Sequence, residues 1–384
     1  MKLNWKKAYA PALALMVSVV LLTACGGTAA PAPTTPSPNA GIGSTSPDST
    51  PESTPESVPE PKATPEKLDH VNMAYNPATG NILGFIAIDS GIAAEEGLEF
   101  ELIPFSNSTD ALNALQAGKV DMGVSFGTIA PLTFVTQGAD FTIFGGYVSG
   151  GMPVYGDPNI EYTGVETFVG KTVAVARMYT PDLVWRGAMM KAGYDLSKDV
   201  TIIEFKTPAE MLGAVSSGKA DIGIGTNSTY LQAVAAGLNI MTWSNDLDPM
   251  HVCCRPVANT SWINNNPDMV KRLLRAWIRA EEVLINDPEY CVTLNMKYME
   301  LDEDQSRIML LETNQVFESD PKSNGVRYMW ELMGELDYAE TDGINIEDHI
   351  NADLYKQALD ELVSENPDNQ TFKEFAERYK AYND

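Results

Sequence analysis

The 384-residue sequence predicts an α/β protein of two similar lobes, and the main reason is a phrase that occurs twice. Residues 111–128 read ALNALQAGKVDMGVSFGT, and residues 210–228 read EMLGAVSSGKADIGIGTNS. Asp121 and Asp221 hold the same place in the shared Gly-Lys-x-Asp-x-Gly pattern, 100 residues apart. Each copy has the pattern of an amphipathic helix, a glycine stop, an apolar strand and a small polar turn. Because a solenoid needs several stacked copies, two copies at this spacing predict two lobes.

An alternation of strand and helix patterns is the second observation. Strand patterns lie at 71–75, 98–105 and 172–176, and a helix pattern runs up to residue 96, before Gly97. Crossings between the lobes are predicted at 147–155 and 250–257. Later helix patterns cover 268–285, 288–299, 305–316 and 326–336, followed by two more near the C-terminus. The alternation predicts a mainly parallel sheet in each lobe, with helices on both faces.

The N-terminus has the pattern of an export signal. A basic start is followed by the apolar stretch 8–22, which is too short for a stable membrane span. The stretch ends in Leu-Thr-Ala-Cys-Gly at 22–26, which resembles the lipobox of bacterial lipoproteins. An ordinary signal peptide with an incidental cysteine is the alternative. We predict a signal peptide at 1–24 and a lipid attached to Cys25.

The segment 25–66 is predicted to be a tether. Residues 26–66 hold ten of the 24 prolines, together with many Ser and Thr residues. Such a composition buries too little apolar surface to fold, and its prolines favour extended conformers that span on the order of 100 Å at full length. The folded part is divided into a first lobe at 68–150, a second lobe at 151–252, and a return to the first lobe with C-terminal helices at 253–384.

The charge of the chain limits its partners. The formal net charge is −26, and it becomes −29 without residues 1–24, which contain three Lys and no acid. This acidity argues against nucleic acid and against anionic membrane surfaces, so the lipid anchor is the one membrane contact that we predict. A small anionic ligand stays compatible with it, because helix N-termini create their own local potential.

Four polar turns follow strand patterns and each opens a helix. In open α/β sheets, ligands bind beyond the carboxyl ends of the strands, and helix N-termini offer N–H groups to oxygen atoms of a ligand. Each residue alone is explained as a helix cap, but four such turns on two lobes favour a shared cleft. The predicted ligand-binding residues of these turns are Asn76, Thr79, Ser125, Phe126, Thr128, Tyr179, Thr180, Thr226, Asn227 and Ser228.

Three further residues complete the predicted site. Arg177 ends an apolar strand, from which its guanidinium would grip a carboxylate or sulfonate with two hydrogen bonds; a surface arginine is the equal alternative. Tyr75, like Phe126 and Tyr179, is a candidate for stacking on a planar ligand. His251 is a candidate to reach the cleft from the second crossing.

The run His251-Val-Cys253-Cys254 has several explanations. A tetrahedral metal site needs a second ligand pair at recognisable spacing, and the remaining residues supply none, so we predict neither metal nor cofactor. A disulfide from Cys253 or Cys254 to Cys291 suits an exported protein, although the sequence does not establish it. Buried thiols in the crossing segment are the commonest arrangement.

Several phrases together resemble ABC-transporter substrate-binding proteins of the group that binds nitrate, sulfonates, taurine and thiamine pyrimidines. They are the strand followed by Asn76-Pro77, GIAAEEGLE at 91–99, AGKVDMG at 117–123 and FVGKTVAV at 168–175, besides the lipobox. The resemblance implies a bilobal periplasmic-binding-protein fold of type II, which closes about a hinge on one small molecule. It also implies a permease and its ATPase as partners, a location on the outer face of the cytoplasmic membrane, and no enzyme activity.

The ligand stays open between an organic anion such as a sulfonate and a neutral heteroaromatic such as a thiamine-precursor pyrimidine. An enzyme or a metal-binding protein that uses His251, Cys253 and Cys254 is the alternative function. The adjacent cysteines resemble the Cys-rich motif of the fungal thiamine-pyrimidine synthases, but the third cysteine of that motif is missing here.

We expect the replacement Cys25→Ser to release the protein from membranes, because it removes the thiol that carries the lipid. Membrane fractionation of cells that produce each form is the measurement. Cys291→Ser is the matched control, since it removes a thiol from the folded part, and it should stay with the membrane. A Cys25→Ser protein that still sediments with membranes would show that the chain is anchored in another way.

Overall fold

The computed structural model describes residues 67–77 and 80–384. The predicted signal peptide, Cys25, the tether at 25–66 and Thr79 therefore lie outside the described residues. The strands of the described part are β1 (Asp69–Tyr75), β2 (Leu98–Pro104), β3 (Met122–Gly123), β4 (Phe141–Ile143), β5 (Val148–Gly150), β6 (Pro153–Gly156), β7 (Thr172–Ala176), β8 (Thr201–Phe205), β9 (Ile222–Ile224), β10 (Asn239–Trp243), β11 (Val257–Asn259) and β12 (Gln315–Phe317).

The α-helices of the described part lie between these strands and after them. Three short 3-10 turns and one π turn occur in the same residues. None of the described helices is both long enough and apolar enough to cross a membrane. The α-helices are α1 (Ile82–Asp89), α2 (Ile92–Glu95), α3 (Ser108–Gln116), α4 (Ile129–Thr136), α5 (Thr180–Lys191), α6 (Pro208–Ser216), α7 (Tyr230–Ala235), α8 (Ser244–Leu247), α9 (Thr260–Asn265), α10 (Pro267–Asn286), α11 (Pro288–Met299), α12 (Glu303–Arg307), α13 (Ser323–Glu335), α14 (Asp353–Glu365) and α15 (Gln370–Asn383).

Two five-stranded sheets form the centres of the two lobes, as predicted. The strand order is β2-β1-β3-β11-β4 in the first lobe and β8-β7-β9-β6-β10 in the second. The orders are equivalent strand for strand, and the registers also agree. Met73 pairs with Met122 in the first sheet and Val173 with Ile222 in the second, so the pairing offset is the same. The repeat in the sequence is therefore a repeat of the fold.

Four of the five strands in each sheet run in the same direction, so the sheets are mainly parallel as predicted, and one reversed strand makes each of them mixed. The strands β1, β2 and β3 run parallel, as do β7, β8 and β9. The fourth strand of each sheet, β11 or β6, runs antiparallel to both its neighbours. Each of these two strands enters its sheet directly from a crossing segment, and this entry explains its reversed direction.

The paired aspartates of the repeat have the same structural role in both lobes. Asp121 Oδ2 accepts the backbone N–H of Asn72 at 2.7 Å, and Asp221 Oδ2 accepts that of Thr172 at 2.7 Å. Each aspartate thus joins the start of β3 or β9 to the neighbouring strand. Gly118 and Gly218, with φ of 67° and 70°, make the left-handed turns that end the preceding helices.

Two predicted helices differ from the structure. The helix expected up to residue 96 is broken between α1 and α2 by Gly91, whose φ of 80° is left-handed. The predicted helix 305–316 ends in a π turn at 308–312, and Val316 belongs to strand β12. This strand pairs with β5 because the crossing offers it an open edge. The predicted helix 288–299 is confirmed as α11, and the predicted strand 172–176 as β7.

The two crossing segments are joined to each other beneath the cleft. Cys254 N–H donates to Val148 O at 2.8 Å, and β12 pairs with the other edge of β5. Arg255 is completely buried, and its guanidinium donates to the Pro321 carbonyl at 2.9 Å, to Ser149 Oγ at 2.9 Å and to Glu318 Oε1 at 3.1 Å. A single buried cation therefore fastens both crossings and the segment after β12.

We expect Arg255→Met to lower the free energy of unfolding by about 3–5 kcal/mol, because it leaves Glu318 buried with a reduced set of positive partners. Arg327→Met is the matched control: Arg327 pairs with Glu347 at the surface, where an ion pair contributes about 0–1 kcal/mol. Urea denaturation of both variants and the parent protein measures the difference. Equal losses in the two variants would contradict the role assigned to Arg255.

Candidate functional site

A cleft of about 520 Å³ lies between the two lobes, where the predicted polar turns converge. The turns follow β1 and β3 in the first lobe and β7 and β9 in the second. Of the predicted residues, the cleft is lined by Asn76, Ser125, Phe126, Tyr179, Thr180, Thr226, Asn227 and Ser228. The four turns thus form the walls of one space.

Turns of the same lobe are joined by hydrogen bonds that fix their shape. In the first lobe, Asn76 N–H donates to Ser125 Oγ at 2.8 Å, and Ser108 Oγ donates to the Phe126 carbonyl at 3.4 Å. In the second lobe, the hydroxyls of Thr226 and Ser228 lie 2.9 Å apart. Each wall of the cleft is therefore preorganised within its own lobe.

The lobes meet at Thr180, the first residue of α5. Its Oγ1 accepts the N–H of Thr128 from the opposite lobe at 3.2 Å. Gly127 precedes this contact with a left-handed φ of 74°, and a Cβ there would lie 2.9 Å from Thr180 Oγ1. The close approach of the two lobes therefore needs glycine at this position.

Asn227 connects the second lobe to the first crossing. Its side-chain amide donates to the carbonyls of Gly150 at 3.1 Å and Gly151 at 3.0 Å. Both glycines have left-handed φ values, and a Cβ on Gly151 would lie 2.6 Å from the backbone nitrogen of Gln315. A residue of the cleft wall is thereby bonded to the hinge itself.

Three sulfur-containing side chains lie together at one end of the cleft. Met152, Cys253 and Cys254 all line it, and Cys253 Sγ lies 3.6 Å from both Met152 Sδ and Cys254 Sγ. All three cysteines of the described part are free thiols, so neither disulfide to Cys291 is present. Cys291 is buried in the first lobe, in helix α11.

The lining carries no formal charge. Among the described residues that line the cleft, there is no Asp, Glu, Lys, Arg or His. Helices α3 and α6 begin beside it, but Asn107 and Thr207 already accept the N–H groups of Asp110 and Glu210 at their N-termini. Burial raises the pKa of Tyr179, so its hydroxyl stays neutral. The walls of the cleft present hydroxyl, amide, aromatic and sulfur groups.

Arg177 lies outside this lining, which corrects the expectation that it projects into the crevice. Its guanidinium stacks on the ring of Tyr338, 3.8 Å from the centroid, and donates to the Tyr338 carbonyl at 3.2 Å. Met178, between β7 and α5, has a left-handed φ of 69°, so the chain turns sharply directly after Arg177. Arg177 borders an adjoining groove of about 530 Å³, which shares Tyr179 with the cleft.

Thr128 and His251 are buried in other contacts, and Tyr75 is absent from the lining. The Thr128 hydroxyl donates to the Cys253 carbonyl, so it holds the cleft floor. The His251 ring places Nδ1 against the Asp248 carbonyl, and burial lowers the pKa of the imidazole. Tyr75 packs against the core of the first lobe. No group of three or more His, Cys, Asp and Glu side chains in the described part is arranged to hold a metal ion.

Several residues that line the cleft were not predicted, although the repeat in the sequence indicates some of them. Helix α3 is capped by Asn107 and α6 by Thr207, exactly one repeat spacing of 100 residues apart, and both helix starts border the cleft. The 100-residue spacing, applied to the first turns of α3 and α6, indicates the lining residues at these two helix starts. Met152, Cys253 and Cys254 carry no such signal, because they come from the crossings. The missed lining residues are Ser106, Ser108, Gly127, Met152, Pro181, Thr207, Pro208, Ala209, Leu212, Thr229 and Gln232, while Cys253 and Cys254 were predicted only for the alternative function.

Solved structures share this fold at low sequence identity. The periplasmic aliphatic sulphonate-binding protein SsuA from Escherichia coli is 17% identical, with a TM-score of 0.61, and the match covers 73% of this chain and 91% of that one. The periplasmic nitrate-binding protein NrtA from Synechocystis PCC 6803 is 17% identical, with a TM-score of 0.62 and coverages of 78% and 90%. The predicted bilobal periplasmic-binding-protein fold is confirmed.

Sequence comparison identifies the family. A Brucella abortus protein that is named as a binding protein is 25% identical over 234 residues. The match covers 58% of this chain and 69% of the relative. The family model described as NMT1/THI5 like matches residues 80–291, more than half of the chain, and includes three of the four polar turns; the first turn, at 76–79, precedes the matched range. The chain belongs to the NMT1/THI5-like family.

Proposed function

We propose that the protein is the solute-binding component of an ABC importer and that it captures a small neutral solute between its lobes. The uncharged cleft, to which both lobes contribute lining residues, is the observation that carries this proposal. Its volume of about 520 Å³ lies within the range of about 300–1,000 Å³ that is usual for small-molecule sites.

A neutral ligand fits this lining better than an anion. Burying a charge without a countercharge is costly, and the one arginine predicted to grip an anion is engaged by Tyr338 and borders another groove. Phe126 and Tyr179 offer aromatic surfaces, while the hydroxyls and amides of the turns offer hydrogen bonds to ring nitrogens and small substituents. We therefore favour a heteroaromatic of the thiamine-precursor pyrimidine type over a sulfonate or nitrate.

Hinge closure supplies the mechanism. A ligand that bonds to Asn76 and Ser125 on one side and to Thr226 and Ser228 on the other stabilises the state in which the lobes are close. The contact between Thr128 and Thr180 forms in that state. Release to a permease then needs the lobes to separate about the crossings at Gly150–Gly151 and 248–256. The lipid on Cys25 and the tether would keep the protein at the outer face of the cytoplasmic membrane.

An enzyme is the second candidate, because two thiols line the cleft. A metal site made of His251, Cys253 and Cys254 would lack its histidine ligand, because the His251 ring bonds to the Asp248 carbonyl. Incubation with hydroxymethylpyrimidine, followed by mass spectrometry of the small molecules, separates the candidates. The binding protein returns the pyrimidine unchanged, whereas a product that depends on Cys253 or Cys254 would establish the enzyme.

We expect hydroxymethylpyrimidine to raise the melting temperature of the full-length protein, and taurine, an alkanesulfonate and nitrate to leave it unchanged. A ligand at 100 times its dissociation constant stabilises the native state by about 2.7 kcal/mol, which a thermal melt detects readily. Native mass spectrometry of the freshly purified protein identifies any solute that co-purifies. Stabilisation by the sulfonate in place of the pyrimidine would show that the ligand is an anion.

We expect Tyr179→Ala to weaken binding of the pyrimidine by about 1–3 kcal/mol, the usual contribution of stacking between a base and an aromatic ring. Arg177→Ala is the comparison variant, because Arg177 lies on the neighbouring groove, and its affinity should match that of the parent. Calorimetry measures both, and thermal melts of the unliganded variants establish that each one folds. A larger loss for Arg177→Ala than for Tyr179→Ala would contradict the assigned site.

A further inference from the structure

Two thiols lie side by side in the cleft, and the proposed binding function leaves them without a role. Cys253 and Cys254 are 4% and 2% exposed, and both line the cleft. Their Sγ atoms are 3.6 Å apart, which is close enough for one sulfur to attack the other after a small rotation of the side chains. The cleft is therefore both the entrance to the pair and the space that a solute would fill.

The surroundings make the two sulfurs chemically unequal. Either sulfur can be the donor across the 3.6 Å contact; with Cys253 as the donor, this bond lowers the pKa of Cys254 against the opposing effect of burial, and the Gly127 N–H and the charge of Arg255 add to the lowering. The same bond, together with burial, raises the pKa of Cys253. Because the thiolate is the nucleophile in thiol chemistry, Cys254 is the attacking residue and Cys253 the resolving one.

We propose that Cys253 and Cys254 form a site of reversible two-electron oxidation, in which a small neutral disulfide enters the empty cleft and converts the pair into a disulfide between adjacent residues. A neutral oxidant is specified because the described lining of the cleft is uncharged. The part of the proposal in which a bound solute protects the pair rests on the proposed function.

The reaction balances in two exchanges. Cys254 thiolate attacks one sulfur of the disulfide RS–SR, the S–S bond breaks, and RS⁻ leaves with the electron pair. Cys253 loses its proton to this thiolate, giving the first RSH, and then attacks the Cys254 sulfur of the mixed disulfide. The second RS⁻ leaves and is protonated from water. Counting the proton that Cys254 gave to water when it ionised, the protein loses two electrons and two protons in total, and the oxidant is reduced to two molecules of RSH.

The product would act on the hinge. Adjacent Cα atoms lie about 3.8 Å apart, whereas disulfides prefer roughly 4.4–6.8 Å, so this disulfide would be strained and easily reduced. The peptide units that must adjust carry the bond from Cys254 N–H to Val148 O and the bond from the Thr128 hydroxyl to the Cys253 carbonyl. Oxidation therefore alters the floor of the cleft and the joint between the crossings together.

Bis(hydroxyethyl) disulfide is the probe for the test, applied to the reduced full-length protein. We expect the peptide that contains both cysteines to lose about 2 Da, and dithiothreitol to restore it. Cys253→Ser should instead trap an adduct on Cys254, and Cys291→Ser, the control, should oxidise like the parent. No loss of mass at this peptide, a link to another cysteine, or a faster adduct on Cys253 in the Cys254→Ser variant would overturn the proposal.

Protection by a solute completes the test and separates it from the proposed function. Hydroxymethylpyrimidine at ten times its dissociation constant should slow the oxidation about tenfold, because only the empty fraction reacts. If the pair oxidises but no pyrimidine protects it, the redox site stands and the proposed ligand is wrong. If the pyrimidine raises the melting temperature while the pair resists the oxidant, the binding function stands and the redox site is wrong.

Discussion

The ion pair between Arg255 and Glu318 is the constraint on which the two-lobed arrangement depends. Both side chains are buried beneath the cleft, and the guanidinium also bonds to Ser149 and to the Pro321 carbonyl. Burial raises the pKa of Glu318, but the charges of Arg255 and Lys322 outweigh it and leave the pKa below its usual value. The carboxylate thus stays ionised, and a buried ion pair joins the two crossings to the segment after β12.

The lobes are also joined on the side away from the cleft. Tyr338, which follows α13, accepts the Met178 N–H at 2.7 Å and donates to Asp182 Oδ2 at 3.0 Å in the second lobe. Farther along, Lys191 of α5 reaches Asp248 in the second crossing. These bonds hold α5 against the C-terminal helices. The two lobes are therefore connected by side-chain contacts as well as by the crossings.

The repeat made the architecture predictable from the sequence, and the crossings limited the prediction of the site. The Gly-Lys-x-Asp-x-Gly pattern determines matching glycine turns and matching aspartate bonds, so the lobes and most cleft turns follow from local rules. The position of Arg177 depends on Tyr338, 161 residues later, and no local pattern reports such a contact. The sulfur cluster likewise forms from two crossings whose contact is tertiary. Local propensity positions the walls of the cleft, and long-range contacts decide its floor.

The antiparallel entry of β11 has a consequence for the order in which the two lobes can fold. The sheet of the second lobe is complete within one continuous stretch of chain, since all five of its strands lie between Pro153 and Trp243. The sheet of the first lobe must wait for β11, and its core also needs α10, α14 and α15. The lobe that is second in the sequence is thus the first able to finish folding, while the N-terminal strands remain incomplete.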